Sequence, residues 1–407
     1  MSEAAPLRRA RAGFTGFVIA FGAAIVVTTE FVVIGLSPMM ADTLQLSVES
    51  SGRFVTWFAL GSAIAGPFVT LLTRRLSSQT VLILALLPFA ANLCMPWLRG
   101  PDLVYALRFL QGATLPMFIG AASEALSRVL GRDDQAISRV YLGTTVGSVL
   151  GAPFGAVVAA ETGWIGAFVV LGILSLIAAL LVLRQPGLDT KAQAGSSVRA
   201  DLALTVRPWV IAHLVLSVVQ FAAMFCSYAF LSLILRMAGI GEEKMGLWLF
   251  VFGMGGIAGN LAVEHVARRT TRAAAIITAA TIAAAGLAAA YLLVHAQALF
   301  PVLLLWGAAH AASFAVCQLR VTRCAPEAPR FAAVLNIAAA NVGIAVGPLL
   351  GGFVLQAAGI QGLGWTGFAL GALSMVMAIA FRHAPAHHSS VLPGRVDRRT
   401  QGRHHER

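Results

Sequence analysis

Two charged side chains stand in stretches of sequence that are otherwise almost wholly apolar: Glu30, in the run from Gly13 to about Met40, and Arg108, six residues beyond Asp102. An ionised group in hydrocarbon costs a few kcal/mol or more, so a charge without a task tends not to persist there. A carboxylate in such a place can gain and lose a proton, and a guanidinium near it can stabilise the deprotonated form. Gln111 lies about one helical turn from Arg108 on the same face, where its amide could hydrogen-bond a solute or the backbone. Further polar residues fall in apolar runs: Tyr228, His310, Gln318, Asn336 and Asn341. Histidine titrates nearest neutrality, so His310 could move a proton, or it could be a hydrogen-bonding residue of the interior. Phe31 and other aromatics could line an apolar pocket or simply pack.

These residues need elements long enough to bury them. The 407-residue chain is 58% hydrophobic and only 11% charged, far below the quarter typical of soluble domains. It could not cover itself with polar surface, so lipid must be its solvent. A span needs about 20 apolar residues. Such segments fall near 14–38, 53–73, 80–98, 102–127, 137–160, 164–184, 207–235, 245–266, 273–295, 299–319, 331–357 and 363–382. The expectation is an all-α membrane protein of twelve spans. With the N-terminus in the cytoplasm, 24 of the 29 Lys and Arg fall on the inner side, four on the outer, and Arg108 within a span. That asymmetry supports the register and puts both termini inside. The net charge of +12 therefore reports topology, and no nucleic-acid partner is expected.

The polar stretch 185–206 reads as a flexible cytoplasmic linker between a bundle at 14–184 and a second at 207–382. Residues 1–13 and 383–407 read as cytoplasmic tails, the latter disordered. Cys94, Cys226, Cys317 and Cys324 lack metal or CxxC spacing, and no metal site is expected. No GxxxxGK[ST] run offers an ATP site.

The halves repeat each other. GSVLGAPFG begins at Gly147 and GIAVGPLLGG at Gly343, so that Gly147 and Gly151 match Gly343 and Gly347 at a spacing of 196. Each run continues through a proline, Pro153 or Pro348, to a further glycine, Gly155 or Gly351. AIAG at 63–66 matches GIAG at 256–259 at 193, and Arg74-Arg75 matches Arg268-Arg269 at 194. Glycines at helical spacing let helices approach closely, and the prolines kink them.

Four segments carry a resemblance to the major facilitator superfamily, within it the twelve-helix drug:proton antiporters and sugar-efflux-like permeases. They are TTEFVVIGLSP from Thr28, RFLQG from Arg108, the GxxxGxPxG run of span five, and APEAP from Ala325 followed by LNIAAAN from Leu335. The similarity covers all twelve spans. One departure is the loop after span two, TRRLSSQ from Thr73, which lacks the Asp of the family pattern.

The resemblance implies two six-helix bundles rocking about a midplane cavity lined in part by spans one and four, and glycine motifs packing where the halves meet. By helical rise Glu30 and Arg108 lie at similar depth, roughly 12 and 9 Å below the outer surface, and could pair there or through a water or ligand. On this reading Glu30 carries the coupled proton and Arg108→Ala costs transport, not insertion. Glu124 matches Arg320 at a spacing of 196, and Glu264 lies one turn before Arg268. Two charge-swapped latches follow as an expectation, Arg74 and Arg75 with Glu124, and Glu264 with Arg320. Ordinary interfacial charges are the alternative.

The implied activity is export of a drug or metabolite by proton antiport across a bacterial inner membrane. Sugar or nucleoside efflux, or uptake by symport, would suit the same fold. The expected partners are the solute, protons and lipid. No cofactor beyond the proton gradient and no enzymatic role is expected, and the working unit is expected to be a monomer.

Overall fold

The computed structural model describes residues 4–73, 75–130, 133–185, 188, 207–293, 295–325 and 329–381. In lipid every backbone N–H and C=O must be bonded within its own segment, and this chain meets the requirement with helices. Helix α1 is Ala4–Thr43, followed by a 3-10 turn at Val48–Gly52. The next crossing is built from α2 (Arg53–Leu60), a π turn (Gly61–Ala65) and α3 (Gly66–Thr73). Then come α4 (Ser78–Ala90), continued by a 3-10 stretch to Trp97, α5 (Pro101–Leu130) and α6 (Asp133–Leu183). The second half holds α7 (Pro208–Tyr228), α8 (Leu231–Met237), α9 (Glu242–Arg269), α10 (Thr271–Tyr291), α11 (Ala296–Cys324) and α12 (Pro329–Ala380).

Nine helical stretches among the described residues are long and apolar enough to cross a membrane. Two of them turn back on themselves. Gly163 (φ 72°) divides α6 and Gly359 (φ 68°) divides α12, each in a backbone region that favours glycine. With the interrupted crossing 53–73 this makes the twelve spans the hydropathy predicts. The two breaks lie 196 residues apart, the same spacing as the glycine runs. Large apolar side chains such as Leu72, Leu261 and Phe353 point outward, as a lipid-facing surface requires.

Helix α1 starts at Ala4, ahead of the predicted boundary at residue 14. The opening of the predicted linker is held to the first half. Thr15 donates to Gln185 Oε1, Gln79 Nε2 donates to the Gln185 carbonyl, and the Gln79 amide bonds buried Leu188. Most of the linker, and the tail from residue 382, lie outside the described residues.

The halves are related by a pseudo-two-fold that the contacts make explicit. A Cβ at Gly147 would meet Ala24, Val27 and Thr28 of α1, and one at Gly343 would meet Val218, Phe221 and Ala222 of α7. Likewise Gly155 faces Val32 and Leu36, and Gly351 faces Cys226 and Phe230. Residues of α1 therefore correspond to residues of α7 that are 194 numbers higher. Gly61 against Phe109 and Gly112 against Phe58 are matched by Gly255 against Leu304 and Gly307 against Phe252, one residue off the 193 spacing of the AIAG and GIAG runs.

These contacts refine one expectation. The glycines of the two runs pack α6 on α1 and α12 on α7, inside each half. The seam between halves is made by the residues that stand between those glycines and by their neighbours. Gly246 sits on Pro153 and Val157, Gly253 on Val149, and Gly52 on Pro348 and Phe230. Thr56 Oγ1 donates to the Ala345 carbonyl (3.1 Å), Ser232 to the Ile34 carbonyl, and Arg236 pairs with Asp42 (2.9 Å). All these contacts lie between the middle of the bundle and its distal end, the end away from the chain termini.

Candidate functional site

Glu30 sits on α1 with 9% of its surface exposed. Among the described residues no hydrogen bond or ion pair reaches its carboxylate. It is close enough to Arg108 and to Tyr228, from the other half, to interact with both electrostatically.

Arg108 is fully buried on α5, at the depth of Glu30, but its partners are not those expected. Its Nη1 donates to the Thr29 carbonyl (2.6 Å) and its Nη2 to the Glu30 carbonyl (2.9 Å). Its Nε donates to the Phe54 carbonyl (3.2 Å) and Nη1 also to Gln111 Oε1 (3.3 Å). The guanidinium plane lies 4.5 Å from the centroid of the Phe58 ring. The planar fork thus ties α1, α2 and α5 together through main-chain oxygens. Those oxygens are dipoles, not charges, so among the described residues no acid is in contact with the cation, and Glu30 acts on it electrostatically. Gln111 in turn donates to Asn92 Oδ1 (2.7 Å) and the Pro88 carbonyl (3.2 Å). Asn92, fully buried on the 3-10 stretch, completes the network.

Opposite this network lies a cluster of rings. Phe31 of α1 meets Phe225 (centroids 6.0 Å apart) and Tyr228 (6.4 Å) of α7. Tyr228 packs on His310 (4.4 Å) of α11 and stacks on Phe252 (4.7 Å) of α9, and Phe252 touches Trp306 (5.8 Å). Phe31 and Phe225 are counterparts at the spacing of 194, so their contact sits on the pseudo-two-fold. His310 Nδ1 and Trp306 Nε1 are buried without a hydrogen-bond partner.

The other predicted polar residues are occupied elsewhere. Asn336 Nδ2 donates to Gln318 Oε1 (2.8 Å) and Ser217 donates to Asn336 Oδ1 (2.7 Å). Along α11, Gln318 lies eight residues past His310, roughly 12 Å toward the end that carries the termini. Asn341 Nδ2 donates to the Ile337 carbonyl, while its Oδ1 has no partner. A further network was missed in the sequence: Gln220 Nε2 donates to Ser313, and Ser374 donates to Gln220 Oε1. Isolated amides and hydroxyls in apolar runs, Asn92 and Gln220 above all, are the signal that could have found these networks, because such groups need partners in hydrocarbon.

Each expected latch includes a residue that lies outside the described ones, and the described members stand as follows. Glu124 pairs with Arg128 on its own helix. Arg75 is exposed, and Arg74 lies outside the described residues. Arg320 is buried, donates to the Phe381 carbonyl (3.1 Å) and stands 3.4 Å from His213 Nε2, capping the last turn of α12. The Glu264 side chain is outside the description.

The Major Facilitator Superfamily model matches residues 19–337 and 239–404. A probable sugar efflux transporter of Mannheimia succiniciproducens is 26% identical over 375 residues, covering 90% of this chain and 93% of that protein. A chloramphenicol resistance protein of Streptomyces lividans is 28% identical over 366 residues, covering 87% and 93%. The solved structure of the nucleoside transporter NupG superposes with a TM-score of 0.69 at 16% identity, covering 89% of this chain and 98% of that one.

Proposed function

The chain belongs to the Major Facilitator Superfamily, a multi-pass membrane transporter and not an enzyme, and from that premise we propose that it exports a small organic molecule in exchange for a proton. The single observation that carries this reading is the Glu30 carboxylate. It is buried between the halves, has no hydrogen-bond or ion-pair partner among the described residues, and lies within electrostatic reach of an arginine whose donors are turned to carbonyl oxygens. A charge that can be cancelled by a proton belongs where the dielectric is low and the neighbouring helices move. Occupation by solute on one side of the cycle and by a proton on the other gives antiport, with the halves rocking about the Phe31–Phe225 contact.

The solute class favoured is one with an aromatic or apolar body. A continuous cluster of rings, Phe31, Phe225, Tyr228, Phe252 and Trp306, starts at the residue next to Glu30 in the chain. The amides that would read sugar hydroxyls, Gln111, Gln220, Gln318 and Asn336, are already bonded to protein. Sugar efflux is the second reading, favoured by the relative of that name and by the open donors of His310 and Trp306. The membrane is the bacterial inner membrane, with both termini in the cytoplasm.

The test is a panel of solutes offered to inverted vesicles carrying an imposed pH gradient, acid inside. Accumulation of one compound class that collapses with a protonophore, and is lost in Glu30→Gln, is the expected result. Equal accumulation by Glu30→Gln overturns the coupling role.

A further inference from the structure

Buried serines and threonines in these helices mostly bond the carbonyl four residues back in their own helix. Thr29 does so to Ile25, Ser37 to Val33, Ser175 to Leu171 and Ser313 to Ala309. Ser232 departs from this habit. It is fully buried, and its hydroxyl reaches across the seam to the carbonyl of Ile34 in the other half.

That carbonyl is special for a covalent reason. In an unbroken α-helix the oxygen of Ile34 accepts from the N–H of residue 38, but residue 38 is proline and has none. The orphan oxygen is buried in a membrane protein, where an unsatisfied carbonyl is costly. Ser232 is placed to supply the missing donor by the break between α7 and α8 at Ala229 and Phe230, which sets it at the second position of α8. At the spacing of 194 Ser232 is also the counterpart of Pro38. One half vacates an acceptor, and the equivalent position of the other half fills it.

We propose that Ser232 is a positioning residue of the transport cycle, holding the distal end closed by donating to the Ile34 carbonyl that Pro38 leaves unpaired. The inference rests on the reading of this chain as an alternating-access transporter. Two other described polar contacts across the distal seam are weaker candidates for this task. Asp42 and Arg236 are solvent-exposed, so their attraction is screened. Thr56 shares its proton between Ala345 across the seam and Gly52 in its own chain segment, and keeps a partner when the seam parts. Among the described residues Ser232 has no second partner, so opening this end breaks the bond for both donor and acceptor. Ile34 lies one turn beyond Glu30 on the same face of α1, which places this bond next to the proposed proton site.

The experiment reads the distal opening directly, independent of solute. Thr43→Cys and Glu242→Cys, in a chain with Cys94→Ser and Cys324→Ser, carry spin labels on opposite sides of the distal end for pulsed distance measurement in lipid nanodiscs. Ser232→Ala is expected to lower the closed-to-open ratio about threefold to tenfold, the range of one buried hydrogen bond between membrane helices. Pro38→Ala restores the helical N–H and competes for the same oxygen. It should shift the ratio the same way, and it keeps the test open should Ser232→Ala fail to insert. The double variant should go no further than the larger single, and Ser232→Thr should return the ratio toward that of the parent. An unchanged ratio in Ser232→Ala, or additive effects of the two alanines, overturns the proposal. Shifted ratios in a protein that shows no proton-driven transport would sink the exporter reading and leave the clasp standing. Proton-driven transport with unshifted ratios would do the reverse.

Discussion

The two halves share a backbone plan and divide their chemistry. At the spacing that relates α1 to α7, Glu30 corresponds to Met224, and across α5 and α11 the contacts Gly112–Phe58 and Gly307–Phe252 make Arg108 the counterpart of Leu303 and Gln111 that of Trp306. The first half thus buries a cation, an acid and an amide exactly where the second buries a thioether, an aliphatic chain and an indole. Phe31 and Phe225, Phe58 and Phe252 stay aromatic in both. A repeated scaffold held by the same glycine contacts carries charge in one half and apolar surface in the other, a division that suits the proton-coupled export proposed above.

The strongest way to break this comparison is to give the first half the side chain of the second. Arg108→Leu removes the donors to Thr29, Glu30, Phe54 and Gln111 at once. The expected loss of stability is on the order of 3 kcal/mol, because buried acceptors lose charged donors. Thermal melting in detergent would register it, whereas melting unchanged from the parent would mean the clasp is dispensable. The expectation from sequence that loss of Arg108 costs transport and not insertion is tested by the same variant, by comparing its amount in the membrane with that of the parent. The guanidinium is built into the fold.

Next in size is a transplant of the acid. Glu30→Gln should reduce gradient-driven accumulation about tenfold or more while the protein still inserts. Adding Met224→Glu should not restore it, since that position has Leu303, not an arginine, behind it. Recovery of coupling in the double variant would show that the halves are chemically interchangeable after all. A smaller effect is expected on the aromatic side. Trp306→Phe and His310→Ala should change the apparent KM for the solute several-fold and leave the dependence on the pH gradient intact. A lost gradient dependence in His310→Ala would move the proton site into the second half.

How much of this was legible from residues alone depends on the kind of bond. The spans were, because hydrocarbon demands about 20 apolar residues each and the breaks at Gly163 and Gly359 fall where two such runs abut. The burial of Glu30 and Arg108 at one depth was also legible. The way Arg108 is satisfied was not, since a backbone carbonyl has the same sequence signature everywhere. The break after Tyr228 that presents Ser232 carries no proline or glycine to announce it. Asn92 and Gln220 stood in plain sight in apolar runs, and cost alone should have predicted partners for them.

The finest test of the shared scaffold is a matched pair of glycines. A Cβ at Gly147 would stand 2.5 Å from the Ala24 carbonyl oxygen and 2.9 Å from the Thr28 nitrogen, and one at Gly343 would stand 2.4 Å from the Val218 oxygen and 2.9 Å from the Ala222 nitrogen. Both meet backbone rather than a flexible tip, so each helix pair must separate. Gly147→Ala and Gly343→Ala should therefore each cost about 1–3 kcal/mol as overpacking. If the two-fold is a true equivalence of packing, the two costs should agree within about 0.5 kcal/mol and add in the double variant, since the sites lie in different halves and share no partner. Thermal melting of the three variants measures this. A much larger cost on one side would mean that the charged half and the aromatic half hold their helices with different strength, and that specialisation has reached the scaffold as well as the side chains.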